Sequence, residues 1–151
     1  MTFLSIIFIG AVATLAMTLV TELSFRIMNR PYHVVRILGN MLRFTMTTPL
    51  NAKPIPQLVL AGVLHLTIGI LFAFLYQSLG MWLFSWSLAA QAITYGASIS
   101  LLAIGGWQMF FDLHPGPPPL SRPVYLAIIG LGHMAFAFTL VAVMGSGMLS
   151  F

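Results

Sequence analysis

The chain has 151 residues, 60% of them hydrophobic and 5% charged, with a formal net charge of +4 and a mean hydropathy of +1.02. A soluble domain carries about 25% charged residues, and six basic plus two acidic side chains cannot cover a wetted surface without leaving large apolar patches. These numbers exclude a water-soluble fold and make lipid the solvent. The sparse positive charge suits anionic lipid headgroups rather than nucleic acid. With no cysteine in the chain, disulfides, thiolate metal sites and cysteine nucleophiles are excluded as well.

A bilayer core of about 30 Å needs about 20 apolar residues at a rise of about 1.5 Å each. Residues 3–21 form the first such stretch. Ala11 and Ala13 imitate a signal-peptidase pattern, yet no Lys or Arg precedes the apolar run, so it reads as a retained span. The connection that follows carries Arg26, Arg30, Arg36, Arg43 and Lys53. Within it, between about residues 32 and 44, His33, Arg36, Asn40 and Arg43 recur at helical spacing while Val34, Val35, Ile37, Leu38, Met41 and Leu42 fill the remaining arc. This predicts an amphipathic helix too short to span. It is expected in the headgroup plane or as a cap on the bundle, with docking to another subunit as the sharper reading.

The second span is residues 58–79 and the third 88–111, joined by a turn without Lys or Arg. Residues 114–123 hold Pro115, Pro117, Pro118, Pro119 and Pro123, together with Arg122, and this run stops the third helix. The fourth span is residues 124–144. The expected fold is therefore all-α: one membrane domain over residues 1–151, an up-down-up-down bundle of four transmembrane helices, with a short interfacial helix between the first two.

With alternating spans, all the basic residues (Arg26, Arg30, Arg36, Arg43, Lys53 and Arg122) fall on one face. The positive-inside rule assigns that face to the cytoplasm and both termini to the opposite side. The same residues are the expected contacts to anionic lipid or to a partner. Trp82 and Trp86 then mark the outer interface and Tyr32, Trp107 and Tyr125 the inner one, whereas Tyr95 is expected in the core.

Two halves of the chain show a weak internal likeness: Gly62 and His65 pair with Gly130 and His133, Gly10-Ala11 with Gly96-Ala97, and Glu22 with Gln108. Duplication would relate the hairpins about an axis along the membrane normal.

His65 lies about seven residues into its span and His133 about nine, so both are expected roughly 10 to 14 Å below the basic face. The second and fourth helices of such a bundle are diagonal partners, so both rings are expected to face inward at similar depth. Small residues flank them: Gly62, Gly69 and Ala73 beside His65, Gly130 and Ala137 beside His133. The plainer reading is close helix packing with each imidazole donating to Thr14, Thr18, Thr67 or a carbonyl on a neighbouring helix, and no cofactor. The alternative is a b-type haem held between His65 and His133, with a metal ion or proton relay behind it.

Glu22 and Asp112 end the first and third spans and are expected at the interface, paired with Arg26, Arg122 or lipid amines. His114 could join Asp112 in a metal site, although a third ligand is missing from the sequence pattern. Phosphate loops, serine elbows and paired acid-base carboxylates do not occur.

The pattern Gly62-x-x-His65-x-x-x-Gly69-x-x-x-Ala73-x-x-Tyr76, with Gly130-x-Gly132-His133 and Leu38-Gly39-x-Met41-Leu42, resembles a group of small bacterial four-helix membrane proteins classed as a domain of unknown function. The resemblance implies a four-helix fold in a bacterial inner membrane and supplies no activity. The expected function is a non-enzymatic accessory or structural component packing against other membrane subunits. A haem-binding electron carrier is the first alternative and a small oligomeric channel or carrier the second.

Overall fold

The computed structural model describes residues 2–30, 32–42, 55–83 and 85–146 and contains five helices: α1 (Phe3–Ile27), α2 (Val34–Met41), α3 (Ile55–Leu83), α4 (Leu88–Leu113) and α5 (Arg122–Gly145). Of these, α1, α4, α5 and the stretch Gln57–Leu79 of α3 are long and apolar enough to cross a membrane. The chain is a multi-pass, four-span helical membrane bundle. Arg43 and Lys53 lie outside the described residues.

Local chemistry sets the ends. Thr2 caps α1 by accepting from the Ser5 amide, and Ser87 caps α4 by accepting from the Ala90 amide. At the other end of α1 the chain turns at Asn29, whose φ of 50° is left-handed. The Arg30 and Asn29 amides there close onto the Phe25 and Arg26 carbonyls, which satisfies acceptors that the helix end would otherwise leave bare. Pro123 sits in the first turn of α5, where its missing N–H costs nothing.

The helices pack in the order α3, α1, α5, α4, so α3 and α5 stand diagonally and α3 and α4 have no extensive packing against each other. α5 is the central helix, with 50% of its span buried against 17% for α3. Glycine is what lets the antiparallel pairs close. A Cβ on Gly10 would lie 2.9 Å from the Ile70 Cα and 3.0 Å from the Ala73 Cβ, and one on Gly96 would lie 3.4 Å from the Met134 Cα and 3.1 Å from the Ala137 Cβ. The two hairpins thus repeat one contact. In that register His133 corresponds to Gly69 and His65 to Ile129, so the sequence match between the two histidines is displaced by one turn from the structural one.

α2 lies across the end that carries Arg36 and Arg122, called here the basic end. It buries Val34, Ile37, Gly39 and Met41 and leaves Arg36 exposed. A Cβ on Gly39 would be 3.5 Å from the Gln57 carbonyl oxygen and 3.6 Å from the Ala61 Cβ, which is how closely α2 lies on α3. Capping of the bundle is therefore what its apolar face does. The helix starts at Val34, two residues into the 32–44 segment read from the sequence, of which residues 43 and 44 lie outside the described residues.

Buried side chains fall into two clusters. The far end is packed by Ile9, Ala13, Ala73, Tyr76, Tyr95, Phe136 and Leu140, and the basic end by Phe25, Val34, Ile37, Met41, Phe111, Tyr125 and Ile129. Tyr125 is fully buried, stacked 5.8 Å from Phe25 and edge-on to Trp107 at 5.1 Å, rather than anchored at an interface. Among the described residues its hydroxyl has no hydrogen-bond partner. Because an unpaired buried hydroxyl is unfavourable by about 1–3 kcal/mol, Tyr125→Phe is expected to raise thermal stability in detergent by about 1 kcal/mol. A fall in the unfolding midpoint would show that the hydroxyl has a partner.

Candidate functional site

Between the two clusters lies a cavity of about 400 Å³, walled by α1, α3, α4 and α5 and roofed at the basic end by Val34, Leu38 and Leu42. Towards the far end α3 and α4 are bridged by the Tyr76 hydroxyl donating to Gln91 Oε1 and the Tyr95 hydroxyl donating to the Phe72 carbonyl. Towards the basic end no such bridge occurs among the described residues. The cavity opens there, because its wall residues Ile68 on α3 and Leu102 on α4 are themselves exposed on the outer surface. Phe72 closes its far side, edge-on to both His133 and Phe136 at centroid distances of 6.1 and 6.4 Å.

His65 and His133 both line this cavity. They share a level along α1: His65 is bonded to Thr18, and Gly132 packs directly against Met17 and Thr21. The Thr18 hydroxyl donates its proton to the Thr14 carbonyl at 2.8 Å, so towards His65 Nε2, 3.0 Å away, it accepts. In that arrangement the His65 proton sits on Nε2. His133 donates Nδ1–H to the Ile129 carbonyl at 2.8 Å, which leaves Nε2 with a bare lone pair. Among the described residues nothing donates to it, and the residue is only 9% exposed.

The expected Thr18 partner for His65 is thus found, whereas His133 turns to a carbonyl of its own helix. Thr14 is taken up differently: its side chain fills the space over Gly69 and its hydroxyl bonds the Gly10 carbonyl. The two rings neither meet in a filled core nor stand free. They flank an apolar space walled in part by the small residues Gly69, Ala103 and Gly106.

The remaining site residues are dispersed. Glu22 takes His33 of the α2 N-terminus as its partner, Nδ1 to Oε2 at 2.6 Å, instead of Arg26 or Arg122. This corrects the expected pairing: the sharp turn at Asn29 folds His33 back onto α1. Asp112 does pair with Arg122, at 2.6 Å, and also accepts from Gln108. Arg26, Arg30 and Arg36 are exposed at the basic end, and Arg122 lies over the Phe111 ring. His114 accepts from the Gly116 amide through Nδ1 and lies edge-on to Phe110. Among the described residues no three His, Cys, Asp or Glu side chains gather as metal ligands.

Sequence reading missed the role of Trp107, taken as an interface marker but found on the cavity wall with Phe72 and Phe110. Comparison of the chain with protein families, curated proteins and solved structures found no match.

Proposed function

We propose that this chain is a non-enzymatic membrane protein that holds one small amphipathic molecule, taken laterally from the bilayer, between α3 and α4. The observation that supports this most is that His133, whose Nε2 has no donor among the described residues, lines a mostly apolar cavity of about 400 Å³. Cavities of roughly 300–1,000 Å³ lined by apolar groups with a few placed polar atoms are the usual form of small-molecule sites. A purely structural histidine would be expected in close-packed surroundings.

Holding suits the site better than passage, since α2 roofs one end and Phe72 and Phe136 block the other. That weighs against a channel. Haem is favoured less than an organic amphiphile because His65 spends Nε2 on Thr18 and keeps a lone pair only on Nδ1, the nitrogen beside its own backbone. An accessory role beside other membrane subunits is compatible with this reading, the outward face of α3 being free for lipid or protein.

The proposed setting is a bacterial inner membrane with the basic end in the cytoplasm and both termini outside. Because the chain lacks cysteine, Arg122→Cys and Thr2→Cys supply unique probes. An impermeant maleimide added to intact spheroplasts is expected to label position 2 and spare 122; the reverse pattern would invert the orientation.

Binding itself is tested with Trp107, isolated by Trp82→Phe and Trp86→Phe. Bromine-tailed dodecanol added to the protein in lipid nanodiscs is expected to quench its fluorescence saturably, at one molecule per chain. Quenching that only rises in proportion to dose would contradict the proposal.

A further inference from the structure

Resting on that reading, we infer that the molecule held in the cavity is a long-tailed phenol or hydroquinol, bound through a hydroxyl proton given to His133. The argument is an account of protons. Thr14, Thr18 and Thr21 each donate to a carbonyl of α1 itself, at 2.7, 2.8 and 2.9 Å. With its proton on the Thr14 carbonyl, Thr18 accepts from His65 Nε2. His133 has committed its own proton to Ile129. At the level of the histidines, the acceptor left without a donor among the described residues is His133 Nε2.

A ketone, quinone, ester or ether brings no proton and leaves His133 Nε2 unmatched. The acyl chain of a bulk phospholipid would fill the space and leave it unmatched too. A hydroxyl meets it. A charged amine is disfavoured because no carboxylate lines the cavity and the walls are apolar. The ring follows from the walls: Phe72, Phe136 and Trp107 offer edges and faces to an aromatic head, which packs edge-to-face with them. The tail leaves by the opening between Ile68 and Leu102.

The test uses the full chain with Trp107 as its sole tryptophan, in nanodiscs, with bromine-tailed dodecanol as the displaced reporter. Para-dodecylphenol is expected to displace it at a concentration roughly tenfold lower than its methyl ether, the factor given by one buried acceptor left unpaired. His133→Phe should erase the difference. Nitrogen NMR of histidine-labelled wild type provides an arm that needs no variant: the phenol should shift the His133 Nε2 signal towards its hydrogen-bonded position, and the ether should not. Equal displacement by phenol and ether, or an unmoved Nε2 signal at saturation, overturns the inference while the binding site stands. Dodecanol competing as well as dodecylphenol overturns the aromatic head. Failure of the reporter to saturate in the first place sinks the proposed function instead.

Discussion

Gly69→Leu is expected to abolish the folded bundle, and even Gly69→Ala should lower stability by about 3 kcal/mol or more. A Cβ on Gly69 would occupy the place of the Thr14 side chain, which is 2% exposed and pinned by its bond to the Gly10 carbonyl. Overpacking of a filled core is usually unfavourable by about 1–3 kcal/mol because neighbours yield. Here the neighbour cannot rotate away without losing its hydrogen bond, so α1 and α3 must part. Separation would also pull Thr18 from His65, since Gly10–Ala73, Thr14–Gly69 and Thr18–His65 form one antiparallel register. Thermal unfolding in detergent checks this, and Gly69→Ala combined with Thr14→Ala should recover most of the loss. An unchanged midpoint for Gly69→Ala alone would mean that the two helices are not in contact there.

The opposite sign is expected at Gly106. A Cβ there meets nothing within 4 Å, and the residue lines the cavity. Replacing a helical glycine removes an entropic penalty of roughly 1 kcal/mol, and a leucine would occupy space that is otherwise empty. Gly106→Leu should therefore raise the unfolding midpoint and abolish saturable quenching of Trp107 by bromine-tailed dodecanol. Two glycines, substituted identically, thus report on different things: Gly69 on helix closure, Gly106 on the cavity. Retained binding in Gly106→Leu would place the amphiphile elsewhere.

Architecture was legible because it follows from one-dimensional quantities. Four apolar runs of bilayer length appear as α1, α3, α4 and α5, each extended by a few residues at its ends. Proline at 115–119 and the polar arc of α2 ended or shaped elements by backbone chemistry that sequence states directly. His65 and His133 were found together because inward placement follows from depth and small neighbours. The Thr18 partner was within reach of the same argument.

What escaped was whatever depends on how far apart helices stand. Nothing in the spacing of Ile68 or Leu102 says that α3 and α4 diverge towards the basic end, because both residues look like lipid-facing apolar positions. Trp107 and Tyr125 fit the pattern of interfacial aromatics, yet the turn at Asn29 brings Tyr32 and α2 over them and encloses Tyr125. The partner of Glu22 was missed for the same reason: His33 is eleven positions away in sequence and returns through a turn whose left-handed residue carries no charge signal. Even the likeness between the histidines was offset by a turn, since two-residue matches do not encode packing register.

The central claim is occupancy of the cavity by one small amphiphile, and native mass spectrometry of the chain released from the membrane in which it was made tests it most directly. The account predicts a single retained molecule per wild-type chain, of hydroxyl-bearing aromatic type, and none on Gly106→Leu isolated in parallel. Wild-type and Gly106→Leu chains carrying the same complement, whether phospholipid or nothing, would contradict it.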